Sequence, residues 1–366
     1  MKASELLVRC LENEGVRYIF GVPGEESLEF MEALSHSAPI TFVTTRHQQG
    51  AAFMANVHGR LSTYPGVCLA TLGPGATNLV TGIADAFLDR APLVALTGQG
   101  ARSRGFQESH QYIAIVRLLE PVTRWNTRIE QPAALPDIVR KAFRLARLEK
   151  PSATHIELPE DVAVEPVEGM PLPVRRTTYP QALPHSVERA IDLLRGAERP
   201  VVLAGNGVIR RQEAGRQAAD HLASFVHKLG LPVVPTFMGK GALDDRDALA
   251  QPAAGLRSHA LHGCALAEPG LVLAVGYDLV EWAPQVWNSK NDKTIPVDNL
   301  PVTFQVEPGW AQSASVWPQV AYTRQGRARA LFQASTSGVV HVTVRVDNMT
   351  QEARITVASR PSPAGE

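Results

Sequence analysis

The residues best suited to chemistry in this 366-residue chain gather at one corner, Arg46-His47-Gln48-Gln49-Gly50. A short apolar run, Ile40 to Val43, precedes them and reads as a strand. A run with small or apolar residues at Ala51, Ala52, Met54, Ala55 and Val57 follows, and reads as a helix packed closely on a sheet. Open α/β sheets bind ligands at such corners, beyond the carboxyl ends of the strands. Three glycine turns belong with it: Gly21-Val22-Pro23-Gly24, Leu72-Gly73-Pro74-Gly75 running on to Asn78, and Gly98-Gln99-Gly100. Glycine at a strand-to-helix turn often serves only to reverse the chain. Three such turns, with a polar helix start among them, read together as one ligand-lined edge. The chemistry that Gln48 offers there is hydrogen bonding, because an amide donates and accepts but does not ionise near neutral pH.

The elements that must position this edge alternate along the chain. Ser4 is expected to cap a helix with the apolar face Leu6, Leu7, Cys10 and Leu11, ended by Gly15. Tyr18 to Phe20, Val67 to Thr71, Pro92 to Leu96 and Ala153 to Leu158 read as strands. Ser27 to Leu34, a stretch ending near Leu88, and Ala133 to Leu148 read as helices. This alternation predicts an α/β fold with a parallel sheet covered on both faces. Arg102 to His110 is a long polar loop with one aromatic, Phe106. Prolines 166, 171, 173, 180 and 184 make residues 165–184 a linker between residues 1–164 and a second domain, 185–301.

That second domain repeats the doubly wound pattern. Its strands are expected at Pro200 to Ala204, Pro232 to Thr236, Leu271 to Val275 and Thr294 to Val297. One long helix is expected from the Gly205-Asn206-Gly207 turn to about Leu229. The turn lacks a full Gly-x-Gly-x-x-Gly, and reads equally as a nucleotide-binding or a packing turn. Residues 302–366 form a short tail in which Val339 to Val346 and Arg354 to Val357 alternate like a hairpin, with a disordered end from Arg360.

Lys+Arg and Asp+Glu both number 36, so the formal net charge is zero, which argues against broad electrostatic binding to nucleic acid or an anionic membrane. No apolar run approaches the roughly 20 residues of a membrane span. The N-terminus lacks the apolar core of a signal peptide. Cys10, Cys68 and Cys264 lie far apart in apolar sequence without metal-ligand spacing, so no metal site is expected from them. A cytoplasmic protein is expected.

The Arg46-His47-Gln48-Gln49-Gly50-Ala51 stretch resembles the Arg-His-Glu-Gln-Gly-Ala segment of thiamine-diphosphate enzymes, in particular acetolactate synthase catalytic subunits. The resemblance runs from Met1 to about Pro301. It implies a pyrimidine-binding N-terminal domain and a central domain of that enzyme type. The family reaction joins two pyruvates into 2-acetolactate with loss of CO2, a carboligase step serving branched-chain amino acid or acetoin formation. The resemblance assigns Pro23, Gly24, Gln48, Thr71, Pro74 and Asn78 to cofactor binding, and Phe106 and Gln107 to the substrate end. In the family a Glu activates the cofactor through its pyrimidine ring; here Gln48 stands in that position.

Two further departures shape what the resemblance implies. Flavin-binding members carry Gly-x-Arg-Phe-Asp-Asp where this chain has Gly276-Tyr277-Asp278-Leu279-Val280-Glu281-Trp282, which is similar to the catabolic branch and makes FAD unexpected. The chain has no Gly-Asp-Gly segment, so it is expected to be truncated, lacking the C-terminal diphosphate domain. Mg²⁺ would then bind only with a domain supplied by a partner. The expectation is an acetolactate synthase-like protein, impaired or inactive alone, that forms a homo-oligomer or pairs with a full-length synthase. The alternatives are a non-catalytic partner of such a synthase and a nucleotide-binding module.

Overall fold

The computed structural model describes residues 1–62, 64–174, 182–210, 212–213, 216–254, 266 and 270–281, and the backbone of the strands within 301–357. Helix α1 (Ala3–Asn13) buries Leu6, Leu7, Cys10 and Leu11 and ends at Gly15, whose φ of 84° suits glycine. Its start differs from the expected Ser4 cap. The Ala3 N–H donates to Glu165 O at 2.9 Å, and the Lys2 N–H donates to Glu5 Oε2 at 3.0 Å. That tie begins the helix two residues earlier, with Lys2 as its N-cap, so Ser4 lies inside it, buried, with its hydroxyl unpartnered.

Six parallel strands follow: β1 (Tyr18–Gly21), β2 (Thr41–Thr44), β3 (Gly66–Ala70), β4 (Leu93–Gln99), β5 (Trp125–Arg128) and β6 (Ala153–Pro159). They pair in the order β2-β1-β3-β4-β6-β5. The central β3, β4 and β6 are buried on both faces, as their continuous apolar runs require. β5, at one edge, is a short polar strand with no apolar alternation to announce it.

Helices cover both faces. One layer packs α1, α2 (Leu28–Ser35), α6 (Leu135–Arg147) and α7 (Glu160–Val164) on Val67, Leu69, Val94, Leu96 and Ile156. The other packs α3 (Gln48–Leu61), α4 (Pro74–Leu88) and α5 (Ile115–Leu119) on Phe20, Cys68, Ala70, Leu93 and Ala95. The connections after β1 and β3 therefore leave for opposite faces. This is the switch point at which open sheets form a ligand crevice.

The start of the proline-rich stretch belongs to this unit. Val167 N donates to Met1 O at 2.9 Å, and Asn13 Nδ2 donates to Leu172 O at 2.8 Å. Arg140 binds the same carbonyl and also Glu14, at 2.5 Å.

The chain then runs through α8 (Pro184–Arg195), β7 (Pro200–Ala204) and α9 (Asn206–Arg210). The long helix expected from residue 205 is divided. Two-residue strands, β8 (Gln212–Glu213) and β9 (Arg216–Gln217), pair antiparallel before α10 (Ala218–Leu229). The run between Ile209 and Ala218 is polar, so a helix there would have no apolar face to bury.

In a second unit, made of residues 192–205 and 225 onward, β10 (Val233–Pro235) and β11 (Leu271–Val275) flank β7 in a parallel sheet. The expected strand at 294–297, the disordered end from Arg360, and Cys264 lie outside the described residues. Beyond them come β12 (Pro301–Val306), β13 (Ala314–Trp317), β14 (Val320–Tyr322), β15 (Leu331–Ala334), β16 (Gly338–Val346) and β17 (Met349–Val357). β16 and β17 pair antiparallel as the expected hairpin, with Val346 opposite Met349. β12 takes the other edge of β16, giving a four-stranded sheet, β14-β12-β16-β17. A lone hairpin is marginal in water, and this sheet gives it the neighbours it needs. β13 pairs with β15. Among the described residues, no helix is long and apolar enough to cross a membrane.

One buried pair gives the first unit a pH dependence. His155 in β6 is fully buried, with Nε2 2.8 Å from Thr97 Oγ1 and Nδ1 unpartnered. Burial pushes its pKa from 6.5 down to about 3. Below pH 6.5 the unfolded chain takes up a proton there that the folded chain refuses, so this stability is complete above 6.5 and falls as pH drops towards 3. Glu14 acts oppositely, because burial lifts its carboxyl to about 7 and favours the folded state in acid. The test therefore reads a difference between proteins. Between pH 7.5 and 5, wild type should lose about 2 kcal/mol of urea-unfolding free energy relative to a Thr97→Val/His155→Leu variant.

Candidate functional site

β1 ends at Gly21, and the following turn is closed by Ser27, whose Oγ accepts from Gly24 N and donates to Gly24 O, both at 2.9 Å. Gly24 has an ordinary extended φ of −149°. It is glycine for space, since an added Cβ would lie 2.6 Å from Thr71 Cβ. Thr71 follows β3 and donates from Oγ1 to Glu26 Oε2 at 2.8 Å. The turns after β1 and β3 thus touch across the crevice. The main chain of Glu26 also lies against Gly98 of β4, where an added Cβ would be 2.9 Å from Glu26 O.

The Gln48 corner closes the crevice from the other layer. His47 caps α3, its Nδ1 accepting from Gln49 N at 3.1 Å. Gln48 is the first residue of α3 and half-buried. Its Oε1 accepts from Asn78 Nδ2 of α4 at 3.1 Å. That bond uses the oxygen and leaves the Nε2 hydrogens to donate. Gly75 lies beside both groups: an added Cβ would be 3.6 Å from Gln48 Nε2 and 2.9 Å from Thr71 Cγ2. Pro74 opens α4 in its first turn, where its missing N–H costs nothing.

The structure therefore brings Gly24, Thr71, Gln48 and Asn78 into one contact chain, with Pro23 and Pro74 exposed at its rim. It does not bring Phe106 or Gln107 onto Gln48. Both sit at the end of a short helix, Arg102–Phe106, and Phe106 is 96% exposed. Their loop nonetheless reaches the site, because Gln111 O lies where a Cβ on Gly73 would be 2.6 Å away.

The root of that loop is fastened by charge. Ala101 N and Arg104 Nη1 donate to Glu160 Oε1 at 2.9 and 3.1 Å, and Arg102 Nε donates to Asp161 Oδ2 at 2.8 Å. Burial alone would raise the Asp161 carboxyl, but the bonds from Arg102 outweigh it and hold it below the usual range. Glu26, in the Gly24-Glu25-Glu26-Ser27 turn, escapes sequence reasoning; its place directly after a glycine turn was the available signal. Among the described residues, no cluster of three or more His, Cys, Asp or Glu could hold a metal.

Two family models match the chain. Residues 1–115 match the N-terminal TPP binding domain of thiamine pyrophosphate enzymes, and residues 187–308 match the central domain of the same enzymes. This chain belongs to the thiamine pyrophosphate enzyme family. Its relatives include the probable acetolactate synthase large subunit of Methanocaldococcus jannaschii, 36% identical over 283 residues, which are 75% of this chain and 47% of the relative. Acetolactate synthase 2, chloroplastic, of Nicotiana tabacum is 36% identical over 282 residues, 75% of this chain and 41% of the relative. Acetolactate synthase of Bacillus subtilis is 34% identical over 300 residues, 80% of this chain and 51% of the relative. The chain spans about half the length of these relatives.

The geometry at residue 48 accepts a carboxylate. Asn78 would still donate to it, and the α3 N-terminus favours negative charge. Gln48→Glu should therefore change the urea-unfolding free energy by less than about 1 kcal/mol. Gly24→Val, which drives atoms into Thr71, should cost about 1–3 kcal/mol in the same measurement.

Proposed function

We propose that this chain is an acetolactate synthase-like protein that holds the aminopyrimidine end of thiamine diphosphate at the Gln48–Asn78 corner. Pyruvate or another 2-oxo acid would approach from the Phe106–Gln107 loop. The observation that carries this is the Gln48–Asn78 bond at the crevice between β1 and β3, in a domain of the thiamine pyrophosphate family. The residues suit the ring. Gly24 and Gly75 let Thr71 pack closely against both turns, and Gln48 Nε2 offers a donor beside Gly75. When bound, the cofactor supplies carbanion stabilisation, the step a protein side chain cannot perform.

Gln48 can bind and orient the ring, but it cannot exchange a proton with it as a carboxylate does. Loss of such an acid–base group typically costs ~10²–10⁴-fold in rate. These 366 residues contain no Gly-Asp-Gly, and a full-length synthase would supply that segment for the diphosphate and Mg²⁺. The outer face of α3 supports a partner, since it exposes Phe53, Met54, Val57 and Leu61, the last at 84%.

This reading is favoured over a nucleotide-binding module by the second unit. Beyond the ends of β10 and β11, the buried Glu281 accepts from Thr236 Oγ1 and from Asp278 N, the latter at 3.2 Å. An added Cβ on Gly205 would lie 2.7 Å from Glu281 Oε1. The Gly276-Tyr277-Asp278-Leu279-Val280-Glu281 segment that carries this carboxylate also lacks the Arg and the Phe-Asp-Asp of flavin-binding relatives. Purified protein should therefore be colourless, and a stoichiometric flavin absorbance would refute that.

The activity test measures acetolactate formed from pyruvate with thiamine diphosphate and Mg²⁺. Gln48→Glu alone should yield none. A full-length partner's diphosphate domain should restore cofactor binding with turnover slower by about 10²-fold or more. Both together should restore turnover, a strongly non-additive result. Substantial turnover by the unmodified chain, free of host synthase, would overturn the proposal.

A further inference from the structure

We infer that Arg128 and Tyr112 are a positioning pair that sets the loop carrying Phe106 and Gln107, with Glu157 holding Arg128 in place. The inference rests on the substrate-end role proposed above for those two residues.

The loop leaves β4 at Gly100 and returns at Ile113, and both ends meet on one side chain. Gln99 Oε1 accepts from Gly100 N at 3.1 Å, while its Nε2 donates to Ile113 O at 2.9 Å and to Glu157 Oε2 at 3.2 Å. Gln99 and Glu157 are both fully buried. Glu157 Oε1 accepts from Arg128 Nε, its cross-strand neighbour on β5. Arg128 Nη2 donates to Tyr112 Oη at 3.0 Å, with the guanidinium 6.0 Å from the ring centroid. The Tyr112 hydroxyl lies beneath Gly105, where an added Cβ would be 2.7 Å from it. One continuous chain of contacts thus runs from the sheet to the residue preceding Phe106.

Simple stability gives little reason for this arrangement. Burying a carboxylate against a guanidinium between two strands costs desolvation that an apolar pair would avoid. What a satisfied buried network supplies is a single geometry. The guanidinium also has somewhere else to go. A groove of about 510 Å³, lined by Ala114, Val116, Asn126, Thr127 and Arg128 itself, opens beside it. Glu157 keeps Arg128 turned towards Tyr112 instead. At the other side of the loop, Arg104 Nε donates to Ser109 Oγ at 2.8 Å, so the loop closes on itself above the tyrosine.

The test uses the full chain and trypsin under native conditions, with cleavage after Arg102 and Arg104 identified by fragment mass. Tyr112→Phe removes one hydroxyl and no packing. It should speed cleavage in the loop about five-fold or more, and that cleavage should depend only weakly on added urea, as local opening does. Arg128→Met should speed loop cleavage further and also lower global stability, because it leaves the buried Glu157 carboxylate without its guanidinium. Glu157→Gln should fall between wild type and Arg128→Met in loop cleavage. Unchanged loop cleavage in Tyr112→Phe would overturn the inference. So would faster cleavage that rises with urea as steeply as global unfolding does, which marks a merely structural role. If Arg128→Met fails to fold, Tyr112→Phe still decides. This readout needs no turnover, so it stands apart from failure of the proposed function. In an assembly that turns over pyruvate, Tyr112→Phe should raise KM several-fold with kcat little changed, and the reverse split would also overturn the inference.

Discussion

Everything at the candidate site depends on how closely two helices approach the sheet and each other. An added Cβ on Gly82 of α4 would lie 2.5 Å from Ala52 Cβ of α3. One on Gly59 would lie 2.1 Å from Pro92 O, and one on Gly66 would lie 1.8 Å from Ala55 O. No other residue type fits these positions without moving backbone. This missing bulk places the first turns of α3 and α4 side by side, so that a glutamine from one can meet an asparagine from the other. It also leaves the larger apolar residues of α3 nowhere to point but outward. The crevice and the exposed α3 face are thus two results of one packing constraint.

The parts of the fold that were legible in the sequence are those with a strong local signal. Continuous apolar runs such as Val67 to Thr71 and Pro92 to Leu96 predicted central strands, because a strand buried on both faces needs no alternation. Gly15 marked the end of α1 through its left-handed backbone. Edge features were less legible. Trp125 to Arg128 has no pattern of its own and becomes a strand because β6 offers it a partner. The Ser4 cap failed for a similar reason. A hydrogen bond from residue 165, distant in sequence, set where the helix begins.

The site divides in the same way. Glycine spacing pointed to the turns at Gly24 and Gly75, and a family resemblance pointed to Gln48 and Asn78. The bond between those two amides could not be read, because it needs the relative placement of two helices. The Gln99–Glu157–Arg128 chain was hidden more completely. Its members lie on three strands, and each alone looks like an ordinary polar residue in a strand end.

The pairing of residues 1–3 with residues 165–167 bears on how the first unit comes to be folded. The bonds from Ala3 N to Glu165 O and from Val167 N to Met1 O join the first-made part of the unit to the last-made part. Val167 is also part of the core beneath α1. During synthesis, α1 can form early, but its outer side stays uncovered until some 160 further residues have left the ribosome. Contacts of such sequence separation close late, since the chain entropy of the loop opposes them. The amino-terminal helix therefore spends the whole period of the unit's synthesis with apolar surface exposed, the interval in which a chaperone or an aggregate would find it.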